Sequence, residues 1–174
     1  MNLNQQPLWY TEMESLVGPL VIVKTYRGIC YIEFGTWQEH HDHIHVWADR
    51  WIGQVLFIED ALQLQDAVEQ ISQYFRQQRR DFAIALDLRG TSFQCIVWHA
   101  LTKIPYGTTR SYTDIAISID APKAVRAVGG ANNKNPIPII VPCHRVIGAN
   151  GSLIGYDGGI WIKQKLLLLE SSHS

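Results

Sequence analysis

Apolar residues gather first in two short runs, residues 20–26 and 29–34, rich in β-branched and aromatic side chains and separated by Arg27-Gly28. That pattern predicts two strands joined as a hairpin. Farther on the spacing lengthens, and Leu64, Ala67, Val68, Ile71, Tyr74 and Phe75 fall on one stripe of a helix, with Gln73, Gln77 and Gln78 opposite and Asp60 as its cap. Residues 82–86 predict another strand, and residues 87–90 a linker. The tract His40-His41-Asp42-His43-Ile44-His45 has no comparable stripe and reads as a polar surface loop. If extended, it would put His41, His43 and His45 on one face, but no carboxylate or thiolate partners stand at a convincing spacing for a metal.

Beyond residue 90 the pattern is helical. Thr91 and Gln94 form a capping box ahead of the stripe Phe93, Ile96, Val97, Ala100 and Leu101, and Ile104-Pro105-Tyr106-Gly107 ends that helix. Ser111 and Asp114 cap a short helix through Ile119, Asp120-Ala121 makes a turn, and Pro122 opens a second helix running toward Gly129-Gly130. Two short helices about a tight turn form a helix-turn-helix. A very apolar helix over residues 160–170 closes the pattern. Residues 1–87 are therefore expected to form a small α/β domain, and residues 91–174 a mainly α domain.

Composition adds one asymmetry. Residues 1–90 carry 7 Lys+Arg against 12 Asp+Glu, net −5, whereas residues 91–174 carry 8 against 4, net +4. A basic module suits an anionic partner such as DNA, because phosphate contacts dominate nucleic-acid affinity. No apolar run is long enough to span a bilayer, and Met1-Asn2-Leu3-Asn4-Gln5-Gln6 has neither the basic nor the apolar part of a signal peptide, so a cytoplasmic, monomeric protein is expected. Three cysteines without C-x-x-C spacing argue against a disulfide scaffold or a structural zinc site, and no nucleotide or phosphate-loop motif suggests a cofactor.

The candidate chemistry lies in Asn135-Pro136-Ile137-Pro138-Ile139-Ile140-Val141-Pro142-Cys143-His144-Arg145-Val146. Pro138 and Pro142 exclude a helix interior and predict an extended, buried course for residues 139–141. Cys30 and Cys95 sit in apolar or helical patterns that suit a small hydrophobe. Cys143 is flanked by Pro142, His144 and Arg145, and only a thiolate is a good nucleophile, so His144 and Arg145 are candidates to activate it. Glu170 ends a helix where the macrodipole disfavours an acid, so a compensating partner is expected. These residues alone leave three classes open: an alkyl acceptor, a Cys-His-Glu hydrolase, and a winged-helix regulator that uses only the DNA-binding part.

Pro142-Cys143-His144-Arg145-Val146-Ile147-Gly148 resembles the acceptor-cysteine signature of the O6-alkylguanine-DNA alkyltransferases. The likeness runs over residues 91–170 and takes in Arg126-Ala127-Val128-Gly129-Gly130-Ala131, Asn135-Pro136, Gly155-Tyr156 and Glu170, with a looser match at Gly18-Pro19-Leu20 and Gly28-Ile29-Cys30. The resemblance implies a stand-alone protein with a ribonuclease-H-like sheet followed by a winged helix-turn-helix domain that carries the active site. Its implied activity is single-turnover transfer of an alkyl group from O6-alkylguanine, and from O4-alkylthymine, in double-stranded DNA to Cys143, with no cofactor.

The same resemblance assigns roles. His144 and Glu170 would form a relay that deprotonates Cys143 through water, and Asn135 would tie the recognition helix to the active-site turn. Arg126 would fill the stack vacated by a flipped nucleotide in a minor-groove complex, alongside Lys123 and Ala127, while Tyr112 would crowd a phosphate and donate to the guanine ring. The backbone of Cys143 and Val146 would accept from the guanine amine. Pro138, Tyr156, Asp157, Gly158 and Lys163 would line the pocket. Asp157 departs from the family, as do Asn132, Asn133 and Lys134, which bears on tolerance of larger alkyl groups and on local DNA contacts.

Overall fold

The computed structural model describes residues 5–171. Residues 1–4, most of the stretch read above for a leader, and residues 172–174 lie outside them. The chain divides into two compact units, Met1–Arg89 and Gly90–Ser174. No helix among the described residues is long and apolar enough to cross a membrane.

The first unit holds a four-stranded sheet in the order β3-β2-β1-β4, built from β1 (Gln6–Met13), β2 (Leu20–Thr25), β3 (Gly28–Phe34) and β4 (Val55–Glu59). β1, β2 and β3 are antiparallel neighbours, and β4 joins β1 in parallel, the arrangement expected of a ribonuclease-H-like sheet. β2 and β3 follow the predicted hairpin. On β2, Val21 and Val23 face a cluster with Leu8, Cys30, Ile44 and Ala48, while Leu20 and Ile22 are buried on the other face. Burial on both faces explains why β2 reads as an uninterrupted apolar run.

Several expectations for this unit are corrected. β1 and β4 have no place in the sequence reading; their partial burial breaks up both the alternating and the continuous pattern. The histidine tract is not a loop but part of helix α1 (Trp37–Trp51). Thr36 and Glu39 form a reciprocal capping box at its start, and Ile44 and Ala48 anchor it to the core. Helical winding puts His41 and His45 beside Trp37, 6.1 and 6.2 Å between ring centres, and sends His43 to the Tyr31 hydroxyl at 3.1 Å. Asp60 does cap, accepting from the amides of Leu62 and Gln63, but the turn it caps is the 3₁₀ segment Leu62–Leu64 that precedes α2 (Gln65–Phe75). Residues 82–86 form no strand. Leu86 makes an isolated bridge to Ile29, and the buried Gln70 carboxamide accepts from the Ala83 amide at 2.9 Å in place of a neighbouring strand.

The second unit packs α3 (Ser92–Leu101), α4 (Tyr112–Ser118) and α5 (Val125–Asn133) together, followed by α6 (Ile160–Ser171). Both predicted capping boxes are present, Thr91 with Gln94 and Ser111 with Asp114. In α3 the buried stripe is Val97, Trp98 and Leu101; Ile96 is half exposed, and the Trp98 indole donates to the Ala131 carbonyl of α5 at 2.8 Å. Pro122 lies in the turn between α4 and α5 rather than at the first helical position, because Asp120, at φ +57°, and the bonded turn Ala121 to Ala124 delay the helix to Val125. β5 (Arg110–Ser111) pairs in parallel with β6 (Val146–Ile147), completing a winged helix-turn-helix.

Candidate active site

Residues 135–147 thread through the middle of the second unit, and their conformation differs from the extended course expected of them. Ile139 has φ +74°, Val141 donates to the Ile137 carbonyl, and Cys143 donates to the Val141 carbonyl, so the segment is a succession of tight turns. Asn135 brackets them: its side chain donates to the Val141 carbonyl at 2.8 Å and accepts from the Ile137 amide at 3.1 Å. Three prolines removed the donors a strand would need, and a buried carboxamide replaced them. Burial of the segment is as expected.

Cys143 opens a 3₁₀ turn with His144 and Arg145, and its thiol is almost wholly buried. Burial pushes that thiol up to about 11, against hydrogen bonds from Asn135 and Tyr156, the cationic Lys163 and the backbone, all of which pull it down. The resting group at neutral pH is therefore a thiol, and reaction requires its proton to leave.

The neighbouring ionisable groups form a closed set. His144 Nε2 lies 2.8 Å from Glu170 Oε1, and Arg145 grips the same carboxylate with Nε at 2.9 Å and Nη2 at 3.0 Å. The Gly107 amide donates to Glu170 Oε2 at 3.1 Å, and Arg145 Nη1 donates to the Ile104 carbonyl at 2.6 Å. Burial alone would raise the Glu170 carboxyl, yet the bonds from His144 and Arg145 hold it down at about 2. With Glu170 ionised, His144 Nε2 must donate. Burial lowers the His144 pKa, so the ring is neutral and its Nδ1 is a bare acceptor.

Lys163 is fully buried, donating to the carbonyls of Val146 at 2.6 Å and Ile154 at 3.2 Å, with its ammonium 6.0 Å from the ring centres of both Tyr112 and Tyr156. The Tyr112 hydroxyl donates to the Ile154 carbonyl at 2.9 Å, and burial, with Cys143 nearby, raises its pKa. Pro138, Val146 and Tyr156 are buried around the turn, Gly158 is partly exposed, and Asp157 is exposed. Arg126, Ala127 and Lys123 lie together on the exposed side of α5 and the turn before it, away from the buried stripe Val128, Ala131 and Asn132.

Arg145, expected as a cation that activates the thiol, points to Glu170. The guanidinium instead neutralises Glu170, the compensating partner that an acid at a helix C-terminus called for. Asn132, expected to bear on local DNA contacts, is instead buried, and its side chain donates from α5 to the Cys143 carbonyl at 3.4 Å. A polar residue inside an otherwise apolar helix stripe is the signal that marks it.

Residues 8–88 match the family model of the 6-O-methylguanine DNA methyltransferase ribonuclease-like domain, and residues 92–172 that of the same family's DNA-binding domain. The chain is 45% identical to the methylated-DNA–protein-cysteine methyltransferase of Methanosarcina acetivorans, over 95% of this chain and 99% of that one. It is 40% identical to the inducible protein of that name from Bacillus subtilis, over 100% and 96% of the two chains. Among solved structures, the Mycobacterium tuberculosis enzyme in complex with DNA superposes with a TM-score of 0.79 at 42% identity, covering 95% of this chain and 93% of that one.

Proposed function

Because the chain belongs to the 6-O-methylguanine DNA methyltransferase family, we propose that it repairs DNA by transferring the alkyl group of O6-alkylguanine irreversibly to Cys143. The observation that carries this reading is a buried Cys143 followed directly by His144, whose ring is bonded to a Glu170 held ionised by Arg145. A thiol that resists ionisation beside a neutral imidazole backed by a carboxylate is arranged for proton removal during reaction. In the transfer the S–H proton passes by way of water to His144 Nδ1, and the resulting imidazolium is stabilised by Glu170. Sulfur forms a bond to the alkyl carbon as the carbon–O6 bond breaks, and the guanine leaves with the bonding pair. A Tyr112 phenol, kept protonated by its raised pKa, can donate to that anion once its hydroxyl releases the Ile154 carbonyl.

Reaching a buried sulfur requires the base to leave the duplex, which costs a few kcal/mol. Arg126 on the exposed face of α5 supplies a planar, permanently charged group for the vacated stack. Lys123 and Ala127 flank it in a minor-groove complex. Tyr156, Pro138, Val146, Gly158 and Lys163 line the guanine pocket, with Asp157 at its exposed edge, and the protein works in the cytoplasm. The thioether has no route back to a thiol within this chain. Mixing excess O6-methylguanine duplex with the protein should give a burst equal to the protein concentration and no later steady rate; continued turnover would overturn the reading in favour of a hydrolase.

A further inference from the structure

Two buried side-chain atoms beside the nucleophile have no hydrogen-bond partner among the described residues: His144 Nδ1 and Asn132 Oδ1. Each belongs to a residue that is 0% or 1% exposed, where an unsatisfied polar atom is costly. They lie about the same peptide. His144 follows Cys143 directly, and Asn132 Nδ2 donates to the Cys143 carbonyl. That bond assigns the amide end facing the carbonyl as the donor, so the remaining Oδ1 is an acceptor. His144 Nδ1 is also an acceptor, because Nε2 spends its proton on the ionised Glu170.

Two acceptors require two donors, and neither atom receives one from the described residues. One water molecule has two O–H bonds and an oxygen able to accept from the Cys143 thiol. We propose that Asn132 is a positioning residue of the alkyl transfer: its Oδ1 and His144 Nδ1 together hold the water that takes the Cys143 proton. The protons balance. The thiol proton goes to the water oxygen, one water proton goes to His144 Nδ1, and the other stays on the water, hydrogen-bonded to Asn132 Oδ1. Since Asn132 stands on the buried side of α5, whose exposed side carries Arg126, the water is held from the helix that would meet DNA.

The inference rests on Cys143 being the acceptor, so its test includes a probe that needs neither DNA nor alkyl-transfer activity. Asn132→Leu removes both amide ends at similar volume; Asn132→Thr restores an acceptor oxygen. The rate of Cys143 alkylation by iodoacetamide, followed by intact mass across pH 6 to 11 alongside transfer from O6-methylguanine duplex, separates the possibilities. For Asn132→Leu both rates should fall roughly tenfold near neutral pH, as expected of a lost proton-transfer contact, and converge on wild type as pH approaches the thiol's own range. Asn132→Thr should regain part of the loss. Duplex affinity should hold and the thermal midpoint should fall only slightly, because the Cys143 carbonyl that loses the Asn132 amide still accepts from the Val146 amide. Rates equal to wild type for Asn132→Leu would overturn the proposal, as would a uniform loss at every pH or a loss confined to duplex substrate. A protein that never accepts methyl groups yet shows the iodoacetamide profile would refute the proposed function and leave this role intact.

Discussion

Cys30 and Cys143 are buried to nearly the same degree, and their surroundings set them apart. Cys30 lies within the sheet of the first unit among Leu8, Val21, Val23 and Tyr31, its thiol donating to the Val23 carbonyl at 3.5 Å. Burial drives its pKa above that of Cys143, and the nearby Asp87 carboxylate pushes it further in the same direction. Around Cys143, burial acts against Asn135, Lys163 and Tyr156, and the adjacent His144 gives the proton somewhere to go. Depth in the protein is thus no measure of inertness. What distinguishes a packing cysteine from a reactive one is whether the same burial also encloses an acceptor for its proton.

The sharpest break of this comparison is a pair of single replacements. Cys143→Ala should abolish alkyl transfer while leaving duplex binding within about twofold, since only one sulfur is lost; Cys30→Ala should keep full transfer and cost about 1 kcal/mol of stability. Gel-shift titration and denaturant melts would report both. Next in size, Arg145→Met should destabilise the second unit by roughly 3–5 kcal/mol, because it strands a buried carboxylate. Urea titration of that variant would show it, and nothing comparable is expected from an isosteric change among the apolar residues packed about Cys30.

Smaller still is Arg126→Ala, expected to slow transfer from duplex DNA roughly tenfold while sparing free O6-benzylguanine, for which no stack has to be filled. Parallel single-turnover assays on the two substrates would show the split. The pH dependence of stability gives the most delicate contrast. Folded Glu170 titrates near 2 against an ordinary 4.5, so its contribution is fully present above about pH 4.5 and is lost as pH falls through 2. Cys143 has the opposite sign: the folded thiol keeps its proton to about 11 while the unfolded one releases it near 9, so stability declines as pH rises between those values. Glu170→Gln should flatten the acid limb and Cys143→Ala should reduce the alkaline one, as read from urea midpoints across pH.

The capping boxes at Thr91 and Ser111 were legible because each places a side-chain oxygen three residues from its partner, a purely local relation. β1 and β4 were not, since they pair with one another across 49 residues with a helix between them. The histidine tract reads as a loop by its polarity, whereas the helical signal lies in the Thr36–Glu39 capping box and in Ile44 and Ala48, four residues apart. Within the site, Cys143, His144 and Asn135 stood out as neighbours in one segment. The grip of Arg145 on Glu170 joins residues 25 apart in sequence, and the sequence offered only the misplaced charge at the end of α6 as a hint of it.

One experiment bears directly on the contrast between the two thiols. Protein treated with a stoichiometric O6-methylguanine duplex, digested and analysed by mass should carry one added methylene, confined to the peptide containing Cys143, with the Cys30 and Cys95 peptides unmodified. Methylation at Cys30 or Cys95, or no covalent product while the duplex is repaired, would contradict the account.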